Sequence, residues 1–130
     1  MPGSRWGFIA GTDLRTGQIV WMHRNGTIRD ADPVPLPPIK LGVPGIGGPI
    51  LTAGGVAFLG AFIDNYLRAY DVNTGEQLWD HRLPAGGQAT PITYSAGGRQ
   101  FVVHVAGGHG SIGTKAADYV IAYALPKARR

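Results

Sequence analysis

The chain has no cysteine among its 130 residues. Thiol catalysis, zinc–cysteine sites and disulfide staples are thereby excluded. Charge is scarce as well, at 15% of residues. The formal net charge of +4 is spread thinly apart from a basic tail at Lys127, Arg129 and Arg130. No stripe of lysine and arginine interleaves with aromatics, so the basic balance serves solubility and no nucleic-acid partner is expected. There is no apolar run long enough to span a bilayer and no signal-peptide pattern. An export address, if the mature protein is exported, is expected outside this sequence. The four histidines are scattered without ligand spacing, so no metal site is expected within the chain.

What the chain has in abundance is glycine and proline, 21 and 10 residues, in a composition too apolar for disorder. Many short strands joined by turns suit that mixture better than a helical bundle, and the length allows one modest domain. The organising pattern is a repeat. Asp13-Leu14-Arg15-Thr16-Gly17-Gln18-Ile19-Val20-Trp21 matches Asp71-Val72-Asn73-Thr74-Gly75-Glu76-Gln77-Leu78-Trp79 in the frame D-x-x-T-G-x-x-x-W, 58 residues further on. A third, degenerate copy places residues 119–125 on residues 66–72. Self-similarity at a period of roughly 50 residues marks a propeller or solenoid array. In both full copies the aspartate bonds amides ahead of it and the glycine takes the positive-φ position, so Asp13 and Asp71 read as turn formers. Trp21 and Trp79 recur at the repeat period and read as packing between blades rather than ligand stacking.

Taken in order, residues 1–24 read as the outer hairpin of a truncated blade. Residues 25–48 form a Pro/Gly-rich inter-blade loop, in which Pro33, Pro35, Pro37, Pro38 and Pro44 fix φ and remove ladder donors. Residues 49–84 read as a complete four-stranded blade with strands near 49–52, 56–61, 66–71 and 77–81. Its run Val56-Ala57-Phe58-Leu59 is apolar without alternation, as expected of a strand covered on both faces. Residues 85–126 read as a last blade lacking its fourth strand, and 127–130 as the basic tail. The expected class is all-β: the C-terminal piece of a larger propeller, with about two blades in this chain. Two blades cannot close a ring, and open sheet edges invite pairing with other chains, self-association included.

The longer, glycine-rich, polar loops are expected to share one rim: 62–65 with Asp64, 107–117 with His109, and the connections 25–48 and 82–89. Loops on a rigid scaffold are the usual carriers of function. Gly108-His109-Gly110-Ser111-Ile112-Gly113 imitates a dinucleotide fingerprint, but that reading needs a following helix and a second parallel strand. A phosphate loop fails on order, since Thr114 precedes Lys115. The remaining functional reading is a rigid loop in which Gly108 and Gly110 frame one imidazole at the propeller mouth. It stands beside a plainer one, a turn with an incidental histidine. Asp64 heads a strand, where a carboxylate also commonly caps a turn. His104, in Val102-Val103-His104-Val105, reads as a hydrogen-bonded sheet residue. His23 and His81 each follow a tryptophan by two residues on the outermost strand and are expected to be solvated. Asn25-Gly26-Thr27 matches a glycosylation sequon but sits in a turn sequence.

The repeated D-x-x-T-G-x-x-x-W element resembles the tryptophan-docking motif of the PQQ-dependent quinoprotein alcohol dehydrogenases, which are eight-bladed β-propellers. The runs Leu83-Pro84-Ala85-Gly86-Gly87-Gln88-Ala89-Thr90-Pro91 and Ala106-Gly107-Gly108-His109-Gly110-Ser111, with Gly42-Val43-Pro44, Gly47-Gly48-Pro49 and Gly113-Thr114-Lys115, resemble the C-terminal end of the membrane-bound glucose dehydrogenase subgroup. The likeness covers essentially the whole chain. It implies oxidation of an aldose at its C1 hydroxyl to the lactone, with electrons passed from PQQ to ubiquinone at the periplasmic face of the bacterial inner membrane. A Ca²⁺ or Mg²⁺ ion polarising the quinone and an aspartate base taking the hydroxyl proton are implied as well. In that subgroup the histidine of the GGHG loop and the aspartate of the D-x-Y loop lie at the site. His109 is thereby implied to contact sugar or cofactor, and Asp64 to help shape the PQQ pocket. The catalytic aspartate, the metal ligands, the tryptophan beneath the PQQ ring and the membrane anchor all belong to upstream sequence in the family. No catalytic or metal-binding residue is therefore expected here, and the chain alone is expected neither to bind PQQ tightly nor to turn over glucose. Its partners would be the remaining blades, a sugar and ubiquinone. Rival readings are a quinate/shikimate or polyol dehydrogenase, a non-catalytic propeller scaffold, and a truncated product without function of its own.

Overall fold

A computed structural model of the chain describes residues 7–29, 39–60 and 62–126. Prolines 33, 35, 37 and 38 and the basic tail lie outside the described residues. Three antiparallel sheets follow one another in chain order. The first is the hairpin β1 (Phe8–Asp13) and β2 (Gln18–Arg24). The second is four-stranded, in the order β3 (Ile50–Leu51), β4 (Val56–Leu59), β5 (Tyr66–Asp71) and β6 (Gln77–Arg82). The third contains β7 (Ile92–Ala96), β8 (Arg99–Ala106) and β9 (Tyr119–Ala124).

The two D-x-x-T-G turns fold alike because their side chains satisfy the same amides. Asp13 Oδ1 accepts the Arg15 amide at 2.8 Å. Asp71 Oδ1 accepts those of Asn73 and Thr74 at 2.8 and 2.9 Å. The hydrogen bonds hold both carboxyls below the usual carboxylate value, Asp13 chiefly through the Arg15 side chain and Asp71 through the Thr74 amide. Gly17 and Gly75 close the turns at φ +69° and +75°. Each hairpin also slips register at the equivalent place, between Gly11 and Thr12 and between Ala69 and Tyr70, a bulge that sharpens strand twist.

Strand β5 is the centre of the molecule. Leu67, Arg68, Ala69 and Tyr70 are all buried, because a core lies against each face. Val43, Leu59, Phe62 and Tyr70 form the cluster toward the first sheet, and Leu67, Leu83, Ala85 and Ala106 the cluster toward the third. Coverage on both faces was expected of Val56–Leu59; those residues are mostly half-buried, and β5 has that place instead.

Aromatic side chains stitch the sheets together. The Trp21 ring lies between Gly11 and Gly75, where a Cβ on either glycine would overlap it, and its Nε1 donates to the Val72 carbonyl at 2.8 Å. His23 stacks on Trp21 at 5.5 Å and reaches the Gly75 carbonyl at 2.5 Å. In the next seam Trp79 stacks on His81 at 6.0 Å and meets Tyr123 edge-on at 5.3 Å, while His81 Nδ1 lies 2.9 Å from the Tyr123 hydroxyl. Of the two histidines expected to be solvated, His81 is exposed and His23 is half-buried; each imidazole, stacked on its tryptophan, also bonds across to the following sheet. His104 is a hydrogen-bonded sheet residue, 1% exposed, with Nε2 3.1 Å from the Gly87 carbonyl. Asn25 is also 1% exposed and takes the Tyr70 hydroxyl at 2.6 Å, which removes it from reach as a glycosylation acceptor. The outer faces of the first and third sheets stay open. Phe8, Val20 and Met22 are exposed on one, and Ile92, Tyr94, Val105 and Val120 on the other.

Candidate functional site

Four connections meet along one rim and are laced by backbone hydrogen bonds. The Val43 amide donates to Asn25 at 3.0 Å, and the Ile63 amide donates to Pro44 at 3.2 Å. The Gly108 amide donates to Gly86 at 2.8 Å, and Gly86 in turn to Lys115 at 3.3 Å. The Leu83 amide donates to Asn65 at 2.7 Å and joins these two pairs, so the loops carrying Asp64 and His109 belong to one bonded ridge.

Asp64 sits at the entry of β5 with 1% exposure. Its Oδ1 accepts Arg68 Nη1 at 3.0 Å, and its Oδ2 accepts both Arg68 Nη2 and the Thr27 amide, the latter at 2.7 Å. A buried carboxylate survives only when paired and hydrogen-bonded, and here both oxygens are engaged. Burial works to lower the Arg68 guanidinium, but the hydrogen bond and charge of Asp64 prevail and raise it. A carboxylate so occupied is neither a free base nor an open metal ligand. It is a clamp that fixes the 25–27 loop against β5. A cavity of about 190 Å³ lined by Thr27, Lys40, Tyr66, Arg68 and Asp80 adjoins it.

His109 is exposed, in extended backbone at φ −146° just before a 3₁₀ turn, Gly110–Ile112. Gly108 precedes it at φ +74°, where a Cβ would overlap the Lys115 carbonyl. That position demands glycine; Gly110 has open space around it and does not. The His109 amide donates to Thr114 Oγ1 at 2.8 Å, and the ring Nδ1 lies 2.9 Å from Ser111 Oγ. With Nδ1 engaged, Nε2 is the nitrogen with which the ring can meet a ligand. Thr114 Oγ1 donates in turn to Gln88 Oε1 at 3.1 Å, and Gln88 Nε2 to the Phe62 carbonyl at 2.8 Å. The His109 loop is thereby joined, at the Phe62 carbonyl, to the loop that carries Asp64, through two side chains that were not named as site candidates. Arg68 was also missed, although an arginine inside the apolar strand Tyr66-Leu67-Arg68-Ala69-Tyr70 required a buried partner, and Asp64 lies four residues back. Among the described residues no group of three or more His, Asp or Glu could hold a metal ion.

The model of the PQQ glucose/ethanol/alcohol dehydrogenase β-propeller domain matches residues 3–102. The chain belongs to that family. It is 61% identical over 123 residues to quinoprotein glucose dehydrogenase A of Acinetobacter calcoaceticus, covering 93% of this chain and 15% of that protein. It is 57% identical over 124 residues to the quinoprotein glucose dehydrogenase of Escherichia coli, covering 93% and 16%. Glycerol and quinate dehydrogenases of the family match less strongly. Among solved structures, the quinohemoprotein alcohol dehydrogenase ADHIIG of Pseudomonas putida HK5 matches with a TM-score of 0.58 and 31% identity over 79% of this chain and 12% of that one. The chain therefore spans between about one eighth and one sixth of the length of these relatives and represents part of a propeller. Trp21 and Trp79, with Asp13 and Asp71, lie at the seams and turns of its sheets.

Proposed function

We propose that this chain supplies the C-terminal blades of a PQQ-dependent glucose dehydrogenase: residues 1–24 the outer hairpin of one blade, 49–84 a complete blade, and 85–126 the last, with 25–48 linking them. The supporting observation is the His109 loop, held on a bonded rim in a chain 61% identical to a glucose dehydrogenase. His109 would offer Nε2 to a sugar hydroxyl or to the cofactor's edge, while the Asp64–Arg68 clamp shapes the wall behind. In the complete enzyme, PQQ with a Ca²⁺ or Mg²⁺ ion supplies the two-electron acceptor. The metal ligands and the general base would come from other blades, since Asp64 is fully engaged. The aldose is oxidised to its lactone, and ubiquinone at the periplasmic face of the inner membrane receives the electrons.

A substrate panel on the full-length enzyme tests the reading. Glucose-dependent dye reduction exceeding that with quinate, shikimate and polyols supports it; the reverse order assigns one of those substrates instead. Replacing His109 with Asn should raise KM for the sugar with folding intact. An unchanged enzyme removes His109 from the site. The 130-residue chain supplied with PQQ and Ca²⁺ should show no glucose-dependent dye reduction, and measurable turnover would overturn the placing of the catalytic groups in other blades.

A further inference from the structure

We infer that Gln88 and Thr114 are positioning residues that set His109 relative to the Asp64 loop. This rests on the reading of His109 as the residue that meets the sugar. The hydrogen bonds run one way. The His109 amide gives to Thr114 Oγ1, the Thr114 hydroxyl gives to Gln88 Oε1, and Gln88 Nε2 gives to the Phe62 carbonyl, at 2.8, 3.1 and 2.8 Å. A threonine hydroxyl that accepts from an amide has its own proton free for an acceptor, and the Gln88 amide is oriented because only its nitrogen can give to Phe62. Turning that amide over would set its oxygen against the Phe62 carbonyl oxygen and lose that bond.

The chain is built into the fold. Gln88 is 8% exposed, so its amide has few solvent alternatives, and a buried polar group left unpaired is costly. Gly86 makes room for it, since a Cβ there would overlap Thr114 Oγ1 and crowd Gln88 Oε1. The far end is firm: Phe62 is buried in the first core cluster, and the next amide, that of Ile63, is held by Pro44. Ser111 fixes the ring at Nδ1, while Thr114 and Gln88 fix the backbone that carries it. The exposed loop thus takes its coordinates from the core two residues before Asp64.

The test uses the full-length PQQ-dependent enzyme with Thr114→Val, Thr114→Ser, Gln88→Met and, as reference, His109→Asn. Sugar KM and kcat, melting temperature, and amide hydrogen exchange of a peptide covering 107–113 are measured for each. Misplacement of a binding group by about 1 Å can reduce efficiency up to roughly a hundredfold. Thr114→Val and Gln88→Met should therefore raise KM by about tenfold or more, with kcat and melting temperature little changed and exchange in 107–113 faster. Thr114→Ser should restore both KM and protection. A wild-type KM in Thr114→Val beside a raised KM in His109→Asn overturns the positioning role and leaves the site reading standing. Equal impairment of Thr114→Val and Thr114→Ser, or a KM change that tracks melting temperature, assigns the effect to packing and also overturns it. If His109→Asn leaves KM unchanged, the site reading fails, and the exchange measurement alone decides whether Thr114 holds the loop.

Discussion

Asp64 and Arg68 form an ion pair with side chains 0% and 3% exposed, and its worth lies in being complete. Removing one partner leaves a buried charge without compensation, which typically destabilises by about 3–5 kcal/mol. Asp64→Asn should lower the denaturant midpoint accordingly, and Asp64→Leu combined with Arg68→Met should recover most of the loss. A double variant as unstable as the single one would show that the Thr27 amide, rather than Arg68, is the partner that matters. His104 gives a second test at this scale. Burial lowers its imidazole below 6.5, against a smaller raising effect of the Gly87 carbonyl. Its Nδ1 has no partner among the described residues, so a second ring proton would enter an apolar site. A depressed folded-state pKa means that stability is fully present above the unfolded value of 6.5 and falls as pH drops through the folded one. Unfolding midpoints should decline as pH falls below about 6.5, and His104→Gln should flatten that part of the profile. Sequence reading reached Asp64 and His109 through loop composition and resemblance. It passed over Arg68, although Asp64 stands only four residues back, and it did not reach the Gln88–Thr114 pair, because partners 26 residues apart meet only once the chain has folded.

The D-x-x-T-G hairpins were legible as elements, since the turn chemistry is local: aspartate to the amides ahead, glycine at positive φ. What crosses from one sheet to the next was not. Nothing within Trp21-Met22-His23 states that a carbonyl stands opposite, and the run Val56–Leu59 looks more buried by composition than β5, whose Arg68 disguises it. The seam itself can be tested through Gly75. Alanine there meets both a φ of +75° and the Trp21 ring, and a non-glycine residue held in the left-handed region is strained by about 1–3 kcal/mol. Gly75→Ala should lower the melting temperature and shift Trp21 fluorescence to the red as the ring leaves its slot. Trp21→Phe keeps a ring but loses the bond to Val72, worth about 0.5–1.5 kcal/mol. An unaltered melting curve for both variants would show that the first two sheets do not depend on this contact.

At the scale of the molecule, periodicity carried the fold class, because a repeat reports architecture even where single strands are ambiguous. The three sheets have 2, 4 and 3 strands, and both outer faces present apolar side chains to solvent. Contiguous apolar surface of this kind marks an interaction face. Copies of the 130-residue chain should associate as concentration rises, seen as a growing sedimentation coefficient. Val120→Lys with Met22→Lys should suppress the growth without unfolding the cores. A chain that sediments as a monomer at all concentrations would show the outer faces to be self-sufficient.

The two seams differ in what the tryptophan–histidine pair meets, and that difference reaches into ancestry. Trp21 and His23 address the carbonyls of Val72 and Gly75, groups that every peptide unit possesses. A duplicated or transplanted repeat could enter that seam provided it kept the turn glycine and the Tyr70 ring beside His23, so the joint is the more portable of the two. The Trp79–His81 seam instead meets the hydroxyl and ring of Tyr123, which one mutation can erase. That joint recognises a particular neighbour. Shuffling of repeats within the family should therefore leave breakpoints more readily beside the first seam than beside the second.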